Sequence, residues 1–129
     1  MAAPAPATPT APRLVVKATC GVESLERLNQ AFTVASTALA AGVEVSVWLT
    51  GEAAWVAVPG RAEQVELPYA ASLAELRDAV LAGGRLTVCG QCAARRALGE
   101  EDLVAGAQVR GAASFVEEVM ADGARALVY

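Results

Sequence analysis

The sequence predicts an α/β domain: a mainly parallel sheet of five strands with helices on both faces. Three observations predict it. Short runs rich in β-branched residues alternate with longer segments of helical apolar spacing along the chain after residue 12. Glycines close most of the helical segments. Finally, Cys20, Thr50, Cys89 and Gly111 each follow an apolar run. In a parallel sheet such positions share one rim, at the carboxyl ends of the strands.

The elements follow in order. Residues 13–19 (RLVVKAT) read as a buried first strand, turned at Cys20-Gly21. Residues 24–41 carry Leu25, Leu28, Phe32, Ala35 and Leu39 at helical spacing, and Gly42 stops that helix. Residues 43–49 (VEVSVWL) are the second strand, and Thr50-Gly51-Glu52 opens a short helical turn through Trp55. Pro59-Gly60 is a turn, and residues 65–67 are an extended piece ended by Pro68. Ser72 and Glu75 have the spacing of a capping box. The helix they start turns Leu73, Leu76 and Val80 inward and ends at Gly83-Gly84. Residues 85–88 are the third strand, residues 93–98 a short helix and residues 101–104 a helical turn. A short fourth strand over 107–110 precedes a helix over 111–121, whose Phe115, Val116, Val119 and Met120 are apolar. Residues 125–129 form the fifth strand.

Composition removes several function classes. Residues 1–12 hold four prolines and no charged side chain, which predicts a disordered tail rather than a secretory signal. Residues 13–129 are one domain, large enough for a core without disulfides or metal. No run of about 18 apolar residues exists, so no membrane span is expected. A net charge of −4 without a basic cluster argues against nucleic acid as a partner. Three cysteines, two of them three apart, do not make the even framework of a small secreted protein. They fit a reducing, cytoplasmic setting. No cofactor is expected: four Cys or His ligands for structural zinc are lacking, and neither phosphate-binding glycine pattern follows a strand.

The chain has no histidine, which leaves sulfur as the reactive group. Cys89-Gly90-Gln91-Cys92 lies where the third strand stops and a helical stretch begins. A thiol there meets the free N–H groups of a helix start, which favour the thiolate. Gly90 is expected to let the backbone turn sharply toward a bound sulfur. Arg95 and Arg96 lie three and four residues past Cys92, at offsets that can face it. Cys20 reads first as a core or turn thiol. Glu100-Glu101 and Glu117-Glu118 read as solvated helix faces, and Trp48 and Trp55 as packing residues, with Trp55 within reach of the rim.

Several segments together resemble the DsrE/DsrF/TusD-like sulfur-transfer family. They are residues 39–45 into 47–52, then 83–92, 102–107 and 110–115. In relay members of that family a cysteine ends this strand, and an arginine pair follows six and seven residues later. Cys89, Arg95 and Arg96 match those positions. Two positions depart from the pattern: Ala97 stands where glycine is frequent, and the loop after the first strand carries Cys20 and lacks an aspartate. The resemblance implies a three-layer α/β/α fold with strand order 4-3-2-1-5, which puts Cys20 two strands from Cys89. It also implies trimers or hexamers.

The function expected is that of a sulfur carrier holding sulfane sulfur as a persulfide on Cys89. Its partners would be donor and acceptor proteins or small persulfides. Cys92 is placed to attack that persulfide and release sulfide. A thiol-disulfide protein using Cys89 and Cys92 is the alternative, although no proline follows Pro68 to face the pair as in thioredoxins. A third is a non-catalytic oligomeric subunit.

Overall fold

Five parallel strands form one sheet in the order β4-β3-β2-β1-β5, with β1 (Arg13–Ala18), β2 (Glu44–Leu49), β3 (Arg85–Cys89), β4 (Gln108–Arg110) and β5 (Ala124–Val128). This is the order the resemblance implied. The computed structural model describes residues 3–4 and 11–129, so the tail expected over residues 1–12 lies for the most part outside the described residues. No helix among the described residues is long and apolar enough to cross a membrane.

The strands form where β-branched side chains can be buried on both faces. β2 shows this best, with every residue after Glu44 buried. Val45, Val47 and Leu49 point to one face and join Val16, Ala18, Leu86 and Val88 in the main core. Two helices cover that face, α1 (Leu25–Ala40) and α2 (Leu73–Gly83). The stripe of α1 is realised as buried Leu28, Ala31, Phe32 and Ala35. Its end is a Schellman motif: Val43 N donates to Ala38 O at 3.0 Å, Gly42 N to Leu39 O at 3.0 Å, and Gly42 has φ +83. At the start of α2, Ser72 Oγ accepts from Glu75 N at 3.4 Å. Gly84 then lets β3 begin against β2, because a Cβ there would stand 2.6 Å from Val45 O.

The opposite face of the sheet is covered by α4 (Ala112–Val119), which meets Ser46 and Trp48. The three layers are therefore present but unequal. None of the α4 residues is buried, and Val116 and Met120 stand exposed together with Leu127 and Val128 of β5.

One expectation needs correcting. The helix after β3, α3 (Gly90–Arg95), starts three residues earlier than expected and ends sooner. Cys89 is itself the residue before its first turn, so the chain enters the helix without a loop. Residues 65–67 pair with no strand; the segment before them is a series of short 3-10 turns, Gly51–Ala57 and Ala62–Gln64. Val65 is extended, in line with the reading of residues 65–67, and packs onto the core.

Candidate functional site

β3 delivers the reactive thiol. Alternation along this strand buries Leu86 and Val88 under α1 and α2 and turns Thr87 and Cys89 to the α4 face. All three cysteines are free; Cys89 is half-buried while Cys20 and Cys92 are buried. Burial pushes the Cys89 thiol pKa up. The N–H groups of Cys92 and Gln91, the Cys92 thiol and the Lys17 ammonium outweigh it, so the net displacement is below the ordinary value. Cys89 makes no side-chain capping bond at the start of α3. The N–H groups of Gln91 and Cys92 nevertheless act on its sulfur and favour the anion. α3 is only six residues long, so the effect is local to its first turn.

Lys17 is the residue that sequence reasoning missed. It shares a row across the sheet with Trp48, Thr87 and Gln108. Its Nζ lies 4.7 Å from the centroid of the Phe115 ring, and that ring meets Trp48 edge-on at 5.5 Å. The signal was present in the sequence: a lysine inside RLVVKA is out of place in a strand buried on both faces.

Cys92 faces away from solvent. Its Sγ accepts a hydrogen bond from Gly51 N at 3.1 Å, which ties α3 to the loop after β2. Arg96 reinforces this tie, donating to Cys92 O at 3.0 Å and pairing with Glu52 at 3.6 Å. Arg95 is exposed. Of the matched arginine pair, then, one braces α3 and the other meets solvent, while the positive charge that bears on Cys89 comes from Lys17. Gly90 is the first residue of α3 and is not in the left-handed region. A Cβ there would meet Arg110 O at an ordinary 3.7 Å, so the turn after Cys89 does not require glycine.

Cys20 lies after β1, two strands from β3. At about 4.8 Å per strand that is roughly 10 Å, outside disulfide reach. Its thiol is part of the main core and is directed at Ser24 O, 3.8 Å away.

Glu118 corrects the reading of the Glu117-Glu118 pair as solvated. Glu117 is exposed, but the Glu118 carboxylate accepts from Ser46 Oγ at 2.9 Å and from Trp48 Nε1 at 2.5 Å. It also pairs with Arg85 at 3.0 Å. Trp48 is a buried packing residue with this one polar tether. Trp55 lies under Arg61, 4.4 Å from its guanidinium, and lines a cavity of about 730 Å³ on the other side of the rim, away from Cys89.

Ala97, where glycine is frequent in the resemblance, has φ +54. The tight turn survives without glycine: Leu98 N donates to Ala93 O at 2.9 Å and Ala97 N to Ala94 O at 3.1 Å, a Schellman motif with alanine at the left-handed position. Ala97→Gly is expected to stabilise the fold by about 0.5–1 kcal/mol, after allowing for the freedom glycine adds to the unfolded chain. A urea midpoint that fails to rise would contradict this.

The pattern of the DsrE/DsrF-like family matches residues 14–129. An uncharacterized protein of Methanocaldococcus jannaschii, MJ0989, is 37% identical over 84 residues, 65% of this chain and 71% of its own length. Among solved structures, the ychN protein from E. coli is similar with a TM-score of 0.68 at 15% identity, covering 92% of this chain and 99% of its own. A protein of unknown function from Methanobacterium thermoautotrophicum, MTH1491, is similar with a TM-score of 0.67 at 16% identity, with the same coverage. The match spans the whole sheet, from β1 to the end of the chain, and includes the strand that carries Cys89: the chain belongs to the DsrE/DsrF-like family.

Proposed function

We propose that this chain is a sulfur carrier of a persulfide relay and that Cys89 is the carrying residue. The family is one associated with sulfur relay, which supports the class. The observation that carries the residue assignment is the contrast among the thiols. Cys89 alone of the three is half-exposed, and its surroundings favour the thiolate, while Cys20 and Cys92 are buried.

The step is a thiolate displacement: Cys89–S⁻ attacks the outer sulfur of R–S–SH. A new S–S bond forms on Cys89, the donor S–S bond breaks, and its electron pair leaves as R–S⁻. The product Cys89–S–SH passes its outer sulfur to an acceptor thiolate by the same chemistry. N–H groups at the start of α3 and the Lys17 ammonium hold the negative charge on the resting sulfur. The setting is a reducing, cytoplasmic one, where a free thiol persists.

A second reading is supported by the position of Cys92, three residues into the same turn with its thiol acting on Cys89. Here Cys92 thiolate attacks the inner sulfur of Cys89–S–SH, forms the Cys89–Cys92 disulfide and expels hydrosulfide.

Intact-mass measurement after incubation with a sulfane-sulfur donor tests both. One added sulfur atom is expected on the native chain and on Cys92→Ser, and none on Cys89→Ser. A sulfur adduct that survives in Cys89→Ser would sink the assignment. Under the second reading the native chain loses the adduct to a disulfide and sulfide, and Cys92→Ser retains it. The working form is taken to be a trimer or hexamer, assembled through the exposed apolar side of α4 and β5.

A further inference from the structure

The surroundings of Cys89 are unusual for an acidic chain. On the α4 face Lys17 lies to one side of Cys89 along the sheet and Arg110 to the other. Cys89 and Arg110 are register partners on β3 and β4, about 4.8 Å apart as neighbouring strands. Arg110 Nε donates to Gln108 Oε1 at 2.9 Å, which holds its side chain along β4 on the face it shares with Cys89. Arg110 is exposed and Lys17 half-buried.

Neither cation is neutralised. Ion pairs among the described residues engage Arg13, Arg77, Arg85 and Arg96, but not Lys17 or Arg110. The nearby carboxylates are committed elsewhere. Glu118 serves Ser46, Trp48 and Arg85, and Glu100 accepts from Val109 N at 2.9 Å on the outer edge of β4. Phe115 holds the Lys17 ammonium against its ring, so its position is fixed by an uncharged partner.

We propose that Lys17 and Arg110 form an anion-accepting mouth around Cys89, and that the sulfur donor taken there is a small persulfide bearing carboxylates. The assignment rests on Cys89 being the carrier. The carboxylates lie on the two cations, and the outer sulfur faces Cys89. The transfer is the displacement given above: the donor leaves as a thiolate that keeps its carboxylates, and no oxidant or reductant is consumed.

Two measurements test this on the full chain. The first does not depend on sulfur transfer. Iodoacetate and iodoacetamide share a leaving group and differ by one negative charge, and their alkylation rates at Cys89 are read by peptide mass spectrometry. The iodoacetate-to-iodoacetamide ratio is expected to exceed that of a free thiol. It should fall about three- to fivefold in Lys17→Met and again in Arg110→Met, the size a unit charge at contact distance gives in water. Lys17→Arg should restore it. Equal ratios in all variants would overturn the mouth and leave Cys89 as carrier untouched.

The second measurement compares loading of Cys89 by glutathione persulfide, which is anionic, with loading by cysteamine persulfide, which is cationic. The anionic donor should load faster, and the double variant Lys17→Met/Arg110→Met should erase the difference. Equal or reversed preference in the native chain would overturn the donor class. Loading by neither donor would overturn the carrier reading and, with it, the donor class.

Discussion

Replacing Glu118 with alanine is expected to lower stability by about 2–4 kcal/mol, mainly through two donors left without an acceptor. α4 has no buried residue, so its hold on the sheet is not chiefly hydrophobic. The carboxylate of Glu118 is what the sheet grips: Ser46 Oγ and Trp48 Nε1 both donate to it. Ser46 and Trp48 are 4% and 1% exposed, so water does not readily replace the lost partner. Each stranded donor costs about 1–3 kcal/mol. The Arg85 pair adds little, because the Arg85 side chain is 52% exposed and solvent screens it. Glu118→Gln keeps one carbonyl oxygen for one of the donors and should cost about half as much. Urea unfolding of the three proteins checks the order. A loss under about 1 kcal/mol for Glu118→Ala would mean that apolar contact, such as Phe115 on Trp48, holds α4 instead. The same variant reaches the site, since α4 supplies the Phe115 ring on which Lys17 rests.

The elements legible in the sequence are those with a strong period and a marked end. α1 combined an apolar stripe with Gly42, and both were realised as read. β1, β2 and β3 stood out by their β-branched runs. The strand order was not contained in the period at all; alternation of strands and helices fits several orders, and the order came from the family resemblance. α3 was misplaced at its start because Gly90 and Gln91 carry no apolar period and no capping residue, while the helix begins on the last strand residue itself. Of the site, Cys89 was legible from its position at a strand end. Lys17 was not drawn out, because its partners, Phe115 and the end of β3, come from distant parts of the chain. Glu118 was misread for a related reason. Two adjacent glutamates look alike in sequence, yet neighbours on a helix point about 100° apart, and only one of them meets the sheet.

Met120→Asp is expected to convert the proposed trimer or hexamer into a folded monomer. In a lone chain Met120 is 77% exposed, and a charge there should change stability by no more than about 0.5 kcal/mol. The effect is therefore large only if a second copy buries the position, where an unpaired carboxylate costs several times as much. Val116 and Val128 extend the same apolar side across α4 and β5, Val128 lying on the face of its register partner Lys17. The two sheet edges also differ in a way that points to this side. β4 is three residues long, and Glu100 occupies its Val109 N–H. β5 is five residues long with four of them exposed, which leaves a longer ladder edge for another chain to cover. Sedimentation velocity with far-ultraviolet circular dichroism separates the outcomes. A smaller species with unchanged helix and strand content is the expected result. A monomeric native chain at micromolar concentration, or an assembly that Met120→Asp leaves intact, would place any contact between copies elsewhere. Assembly on this side would also press α4 onto the sheet, holding Phe115 and with it the Lys17 ammonium beside Cys89, so that sulfur loading and oligomeric state should fall together in Met120→Asp.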